Sequence, residues 1–245
     1  MKNISIIFML LTVICVFLPL PSVLAFENNN TALIYNGVFA DDEGAEAMSD
    51  LADEFGLTTV WFNEPKMLLD LLSDSKLVII GGTIDDINPF VELFTPDIRL
   101  ALKNFVNQGG LYLGICGGGY IASSGWEEND GFVEAIELVP YESDSFSIDT
   151  EPQIIHIKWN NVKRPVYYQF GPKFLLPEHG LETIIARYDD NSVAAFSMIR
   201  GSGKIVLVGP HPEADETWIE YSVKNAGAWT PTHDMARDMM QEVLK

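Results

Sequence analysis

Leu111-Tyr112-Leu113-Gly114-Ile115-Cys116-Gly117-Gly118-Gly119-Tyr120 is the stretch on which the reading of this chain turns. A run of strand-forming residues enters a cysteine, and three glycines follow it. The pattern predicts a strand over Leu111–Ile115 with Cys116 as its last residue, then a short helix over Tyr120–Ser124. A nucleophile at so sharp a strand-to-helix turn is forced into a strained backbone conformation, with its side chain exposed above the sheet. Flanking glycines let neighbouring chains approach without a Cβ in the way. The helix N-terminus supplies partial positive charge that favours a thiolate. Its orphan N–H groups, chiefly that of Gly117, can hold an oxyanion.

Toward the N-terminus the same alternation repeats. Residues 32–37 read as a buried strand, and Met48, Leu51, Ala52 and Phe55 fall at helical spacing with Gly56 in the C′ position. A second strand is expected at Thr58–Phe62, a short helix at Pro65–Leu72, and a third strand, apolar on both faces, at Lys76–Ile80. Thr95-Pro96 opens a helix whose buried face is Ile98, Leu102 and Phe105, and Gly109-Gly110 stops it. Strands alternating with helices in this way imply an α/β fold, a parallel sheet covered on both faces. Ligands of such sheets bind beyond the carboxyl ends of the strands. Cys116 lies at one such end and Gly81-Gly82 at the next, so Gly81 or Gly82 is available as a second oxyanion donor.

Toward the C-terminus, residues 127–151 hold nine acidic side chains and no basic one, and read as a solvated face with apolar anchors. Strand-like runs follow at Ile154–Trp159, Val166–Phe170, Thr183–Tyr188, Val193–Met198 and Lys204–Val208, the last two joined as a hairpin. A helix from about Thr232 closes the chain. His156 sits in a strand, His179 in a turn after Pro177, and His233 in the first turn of the last helix. His211 differs: it follows a strand through Gly209-Pro210 and precedes Pro212-Glu213. In extended chain, residues two apart face the same way, so Glu213 can orient and charge-stabilise the His211 imidazole. Cys116, His211 and Glu213 thus read as nucleophile, base and orienter. Spacing alone leaves open a buried inert cysteine beside a satisfied His-Pro-Glu turn.

Composition sets the outer limits. The chain has 245 residues, 47% of them hydrophobic, which suits one large domain with a substantial core. A formal net charge of −20 repels phosphate backbones and argues against a nucleic-acid partner. Lys2, the apolar run Ile6–Leu18, Pro19, Pro21 and Val23-Leu24-Ala25 read as a secretory signal peptide cut after Ala25. The run is 13 residues, short for a bilayer span, and an uncleaved N-terminal anchor is the competing reading. Residues 26–245 are then a single exported domain without a membrane span, and Cys116 is its one thiol. Asp41-Asp42 and Asp85-Asp86 have incomplete spacing for a cation site, and no phosphate loop, zinc constellation or serine elbow appears. No metal or cofactor is expected.

Gly81-Gly82, Gly114-Ile115-Cys116-Gly117-Gly118 and His211-Pro212-Glu213 resemble the three signatures of class I glutamine amidotransferases, in the same order. Leu33–Gly37, Val166–Pro172 and Ala186–Tyr188 are similar to the N-terminal domain of eukaryotic bifunctional biotin–protein ligases and its free-standing relatives. The similarity covers roughly residues 31–215. It implies a three-layer αβα, flavodoxin-like fold with a mostly parallel sheet, Cys116 as nucleophile, His211 as base, Glu213 as its orienting partner, and Gly82 and Gly117 as the oxyanion hole. Two departures stand out. Glutaminases carry Gln four residues after the nucleophile, where this chain has Tyr120, and the sequence holds no synthase domain to receive ammonia. Tyr120 and Tyr168 are the substrate-pocket candidates. The adenylate-binding loop of a biotin ligase module is missing, so ligase activity is not expected. The expected function is an exported thiol hydrolase or amidase acting on a small-molecule or peptide amide. The alternative is a binding or scaffold protein that keeps the fold without turnover.

Overall fold

The computed structural model describes residues 30–245 apart from 85, 178, 179, 181, 220 and 221. The expected signal peptide, together with Asp85 and His179, therefore lies outside the described residues. The first half runs β1 (Thr31–Tyr35), α1 (Asp42–Glu54), β2 (Thr58–Phe62), α2 (Leu68–Leu71), β3 (Leu77–Ile80), α3 (Asn88–Glu92), α4 (Pro96–Asn107), β4 (Leu111–Ile115) and α5 (Gly117–Ala122). The second half is strand-rich: β5 (Gly125–Glu128), β6 (Gly131–Glu134), β7 (Ser143–Ser145), β8 (Gln153–Trp159), β9 (Val162–Tyr168), β10 (Pro172–Phe174), β11 (Thr183–Tyr188), β12 (Val193–Arg200) and β13 (Gly203–Val208), closed by α6 (His233–Leu244).

The main sheet has the order β2-β1-β3-β4-β13-β12-β11-β8-β9. Its first five strands are parallel and the remaining four pair antiparallel. Side chains alternate across each parallel strand, so each strand feeds two cores. Val78 and Ile80 pack on one face with Ile98, Leu102 and Phe105 of α4. Leu77 and Ile79 pack on the other with Met48 and Leu51 of α1 and with Met235 and Met239 of α6. The result is the expected three-layer α/β architecture. No helix among the described residues is long and apolar enough to cross a membrane.

Three features differ from the sequence reading. Pro65–Leu72 is not one helix: 3₁₀ turns flank the single α-turn of α2. The second strand of the 153–168 hairpin starts at Val162, not Val166, and pairs His156 with Pro165. β9 is the last strand of the sheet, and such an edge position tolerates the missing N–H of Pro165. Asn160 and Asn161, with φ of 47° and 65°, make the tight turn that closes this hairpin. The acidic stretch also contains a second, separate hairpin, β5–β6.

A fourth difference bears on the site. α5 begins at Gly117 rather than Tyr120, so Cys116 caps the helix instead of ending the strand. Three glycines in a helix's first turn oppose helix propensity, and close packing explains them. A Cβ on Gly118 would lie 1.9 Å from the Ile80 carbonyl oxygen, and one on Gly117 would lie 2.4 Å from Thr83 Oγ1. The helix therefore sits directly on the end of β3. Gly118→Ala should lower stability by about 3 kcal/mol or prevent folding, because the clash is with backbone. Gly81→Ala, where nothing lies within 4 Å of the added Cβ, should leave the melting temperature nearly unchanged. Thermal denaturation of the two variants checks the contrast.

Candidate active site

Cys116 has φ 49° and ψ −109°, a conformation outside the comfortable regions for a residue with a Cβ. Its amide donates to Val208 O at 2.8 Å, which binds the turn to the end of β13. The chain leaving β13 passes through Gly209-Pro210 and places His211 over the same sheet edge. There His211 N donates to Tyr167 O at 2.9 Å, so the end of β9 forms a further wall of the site.

His211 Nδ1 lies 2.8 Å from Glu213 Oε1, and the Cys116 sulfur is close enough to the imidazole to help raise its pKa. With Nδ1 on the carboxylate, Nε2 is the ring nitrogen left for sulfur. Both side chains of the His–Glu pair are almost wholly buried, at 5% and 1% exposure. Burial by itself would push the imidazole pKa down. The Glu213 carboxylate and the Cys116 sulfur outweigh it, and the ring is held well above its ordinary value. Glu213 Oε2 has no hydrogen-bond partner among the described residues, which leaves that carboxylate dependent on His211.

The first-turn amides of α5 are divided between structure and site. Gly118 N donates to Gly81 O at 3.0 Å, and Gly119 N and Tyr120 N both donate to Cys116 O. Gly117 N remains as the amide beside the thiol, and an N1 amide has no intrahelical acceptor. Gly82 approaches His211 so closely that a Cβ there would lie 2.9 Å from the ring Cε1. Gly82 and Gly117, but not Gly81, line the cavity over the thiol.

That cavity has a volume of about 1430 Å³. Tyr120 lines it, its hydroxyl 3.0 Å from Ser145 Oγ, with burial raising the phenol's pKa. Tyr168, the other pocket candidate, is corrected: its side chain is fully buried, donates to Gly171 O at 3.0 Å and packs on Phe146 and Tyr188. Strand alternation sends Tyr168 into the core and its neighbour Tyr167 to the cavity. His156 lies in β8, and His233 pairs with Glu54 at 3.1 Å; neither lines the cavity.

Asp41, read from sequence only as a solvated loop residue, also lines the cavity. Burial pushes its carboxyl above the usual carboxylate range and Glu213 adds to this, while His211 and the amides of Glu43 and Gly44 oppose the shift without reversing it. Its place after β1, at a carboxyl end of the sheet, was the available signal. The Gln169 carbonyl, 3.7 Å from Cys116 Sγ, had none. The acidic 127–151 stretch is partly a cavity rim, since Glu127, Glu128 and Asp130 line it.

Because Glu213 raises the His211 pKa, Glu213→Gln should lower it. Imidazole resonances of His211 followed by NMR across pH should titrate well above the usual ~6.5 in the parent and move toward or below that value in the variant.

Comparison with known proteins bears on the fold. A family model described as "Biotin-protein ligase, N terminal" matches residues 70–136, which hold β3, α4, β4 and the Cys116 turn. A cobyric acid synthase from Trichodesmium erythraeum (strain IMS101) is 35% identical over 77 residues, 29% of this chain and 16% of the synthase, so the chain spans only a small part of that relative. Among solved structures, a glutamine amidotransferase superposes with TM-score 0.61 at 13% identity, over 87% of this chain and 99% of its own. A second, from Thermotoga maritima, gives 0.55 at 14% identity over 89% and 87%. A GH42 β-galactosidase also matches, at 0.52 and 14% identity over 88% of this chain and 30% of the glycosidase, so the fold alone does not carry the chemistry. The chain has the fold of these glutamine amidotransferases, and its residues 70–136 are similar to the N-terminal part of biotin–protein ligases.

Proposed function

We propose that this protein is an exported thiol-dependent hydrolase or amidase in which Cys116 is the nucleophile, His211 the base and Glu213 the carboxylate that orients it. The observation that carries the reading is the buried His211 imidazole on Glu213 Oε1, with a cysteine in a strained elbow close enough to raise the ring's pKa.

The chemistry follows from these positions. His211 Nε2 takes the thiol proton, and sulfur attacks the acyl carbon of a bound amide. The carbonyl oxygen becomes an oxyanion facing the Gly82 and Gly117 amides. Collapse expels the amine, which receives its proton from His211, and leaves a thioester on Cys116. Water, giving its proton to His211, then attacks the thioester and releases the carboxylic acid and the thiol. Glu213 fixes the ring's tautomer and stabilises the imidazolium in both halves. Tyr120 occupies the position four residues after the nucleophile and narrows the cavity there, so free glutamine is a poor candidate substrate. The same residue favours the second reading, a binding protein that keeps the amidotransferase fold without turnover.

Cys116→Ser should reduce kcat/KM on any amide or thioester substrate by about 10³-fold or more, and Glu213→Gln by about 10²-fold, with melting temperature kept in the serine variant. Rates across an amide and thioester panel test this. Turnover that survives in Cys116→Ser refutes the hydrolase, and absence of turnover in the parent across the panel favours the binding protein.

A further inference from the structure

The cavity over Cys116 is larger than one carboxamide requires. Ligand pockets commonly hold about 300–1,000 Å³, and this one holds about 1430 Å³. Its lining is also one-sided in charge. Asp41 and Glu43 contribute from the start of α1, Asp86 from the loop before α3, and Glu127, Glu128 and Asp130 from the β5–β6 hairpin. Among the described residues no Lys or Arg lines it. A seventh lining carboxylate, Asp144, is paired with Lys173 at 2.9 Å, but none of the other six is ion-paired to a Lys or Arg among the described residues.

Two of the acidic positions are built rather than incidental. Glu128 is held from two sides: Asn88 Nδ2 donates to both its oxygens at 3.1 Å, and Trp126 Nε1 donates to Oε1 at 2.8 Å. Asp41 is half-buried beside Gly82, with its Oδ2 3.6 Å from where a Cβ on that glycine would be. A neutral amide filling this space would strip water from lone carboxylates with nothing to replace it. A cationic group offsets that loss, and converging like charges over a low-dielectric floor concentrate cations from solution. Trp126 and Phe170 add aromatic surface to the same walls, and Phe170 is 45% exposed.

We infer that the site takes amides bearing a cationic group, an ammonium or guanidinium, placed so that the charge meets the acidic rim while the amide reaches Cys116. This rests on the hydrolase reading for the reaction, but not for the charge preference.

The test uses the full chain and two amides of nearly the same shape, the Nα-acetyl forms of arginine amide and citrulline amide, which have no α-ammonium and differ in side-chain charge. Each is titrated against Cys116 alkylation by iodoacetamide, scored at that residue by mass spectrometry. At low salt, half-protection by arginine amide should need a concentration about tenfold or more lower than by citrulline amide, and 0.5 M NaCl should shrink the difference below about threefold. Glu128→Gln with Asp130→Asn should narrow it in the same direction. Equal protection by the two amides, or a preference indifferent to salt, overturns the inference, and the salt series stands even if the double variant does not fold. Turnover is read in the same samples. A protein that hydrolyses neither amide but prefers the arginine compound refutes the hydrolase and keeps the charge preference; equal hydrolysis with equal protection does the reverse.

Discussion

The 2.8 Å hydrogen bond from Cys116 N to Val208 O joins the turn bearing the nucleophile to the strand that delivers the base. Everything at the site is built around holding that turn. A non-glycine residue at φ 49°, ψ −109° costs on the order of 1–3 kcal/mol and persists only where its surroundings over-determine it. Here those surroundings are the parallel pairing of β4 with β3 and β13, and α5 seated on β3 through glycines that cannot be enlarged. Gly118 N to Gly81 O and the two amides on Cys116 O complete the clamp. With the turn so fixed, the sulfur has one place to be, and His211 arrives three residues beyond Val208 at the same edge.

The energetics of the His–Glu pair follow from burial. A carboxylate at 1% exposure with one unpartnered oxygen is costly unless a cation faces it, and among the described residues the imidazolium is the cation paired with it. The imidazole is likewise stabilised in its charged form by Glu213 and by sulfur. The charge on the imidazole therefore depends on both neighbours, and removing either one changes it. Asp41 extends this cluster toward the cavity, where no Lys or Arg among the described residues meets it.

Much of this was legible in the chain. Apolar runs bounded by glycine marked β3 and β4, Thr95-Pro96 marked the start of α4, and the Cys-Gly-Gly and His-Pro-Glu elements marked the two ends of the site. What was not legible depended on three-dimensional closeness. Glycines in a helix's first turn look like a loop until the carbonyl of Ile80, one strand away, shows why no Cβ fits. Nor does the sequence show that β9 lies at the sheet edge, where Pro165 can sit within a strand that starts at Val162. Tyr168 looked like a pocket residue because adjacent tyrosines cannot be assigned to faces before the register is fixed. Asp41 and the hairpin carrying Glu128 needed the fold to bring residues 41 and 128 to one cavity.

The most direct test of the central claim, that Cys116 and His211 act as a pair, is the pH dependence of Cys116 alkylation by iodoacetamide in the parent and in His211→Ala, scored at Cys116. The account expects the parent to react at pH 6 about tenfold or more faster than the variant, with the two rates converging in alkali. Superimposable profiles that match an ordinary free thiol would contradict it and leave the elbow as a structural turn.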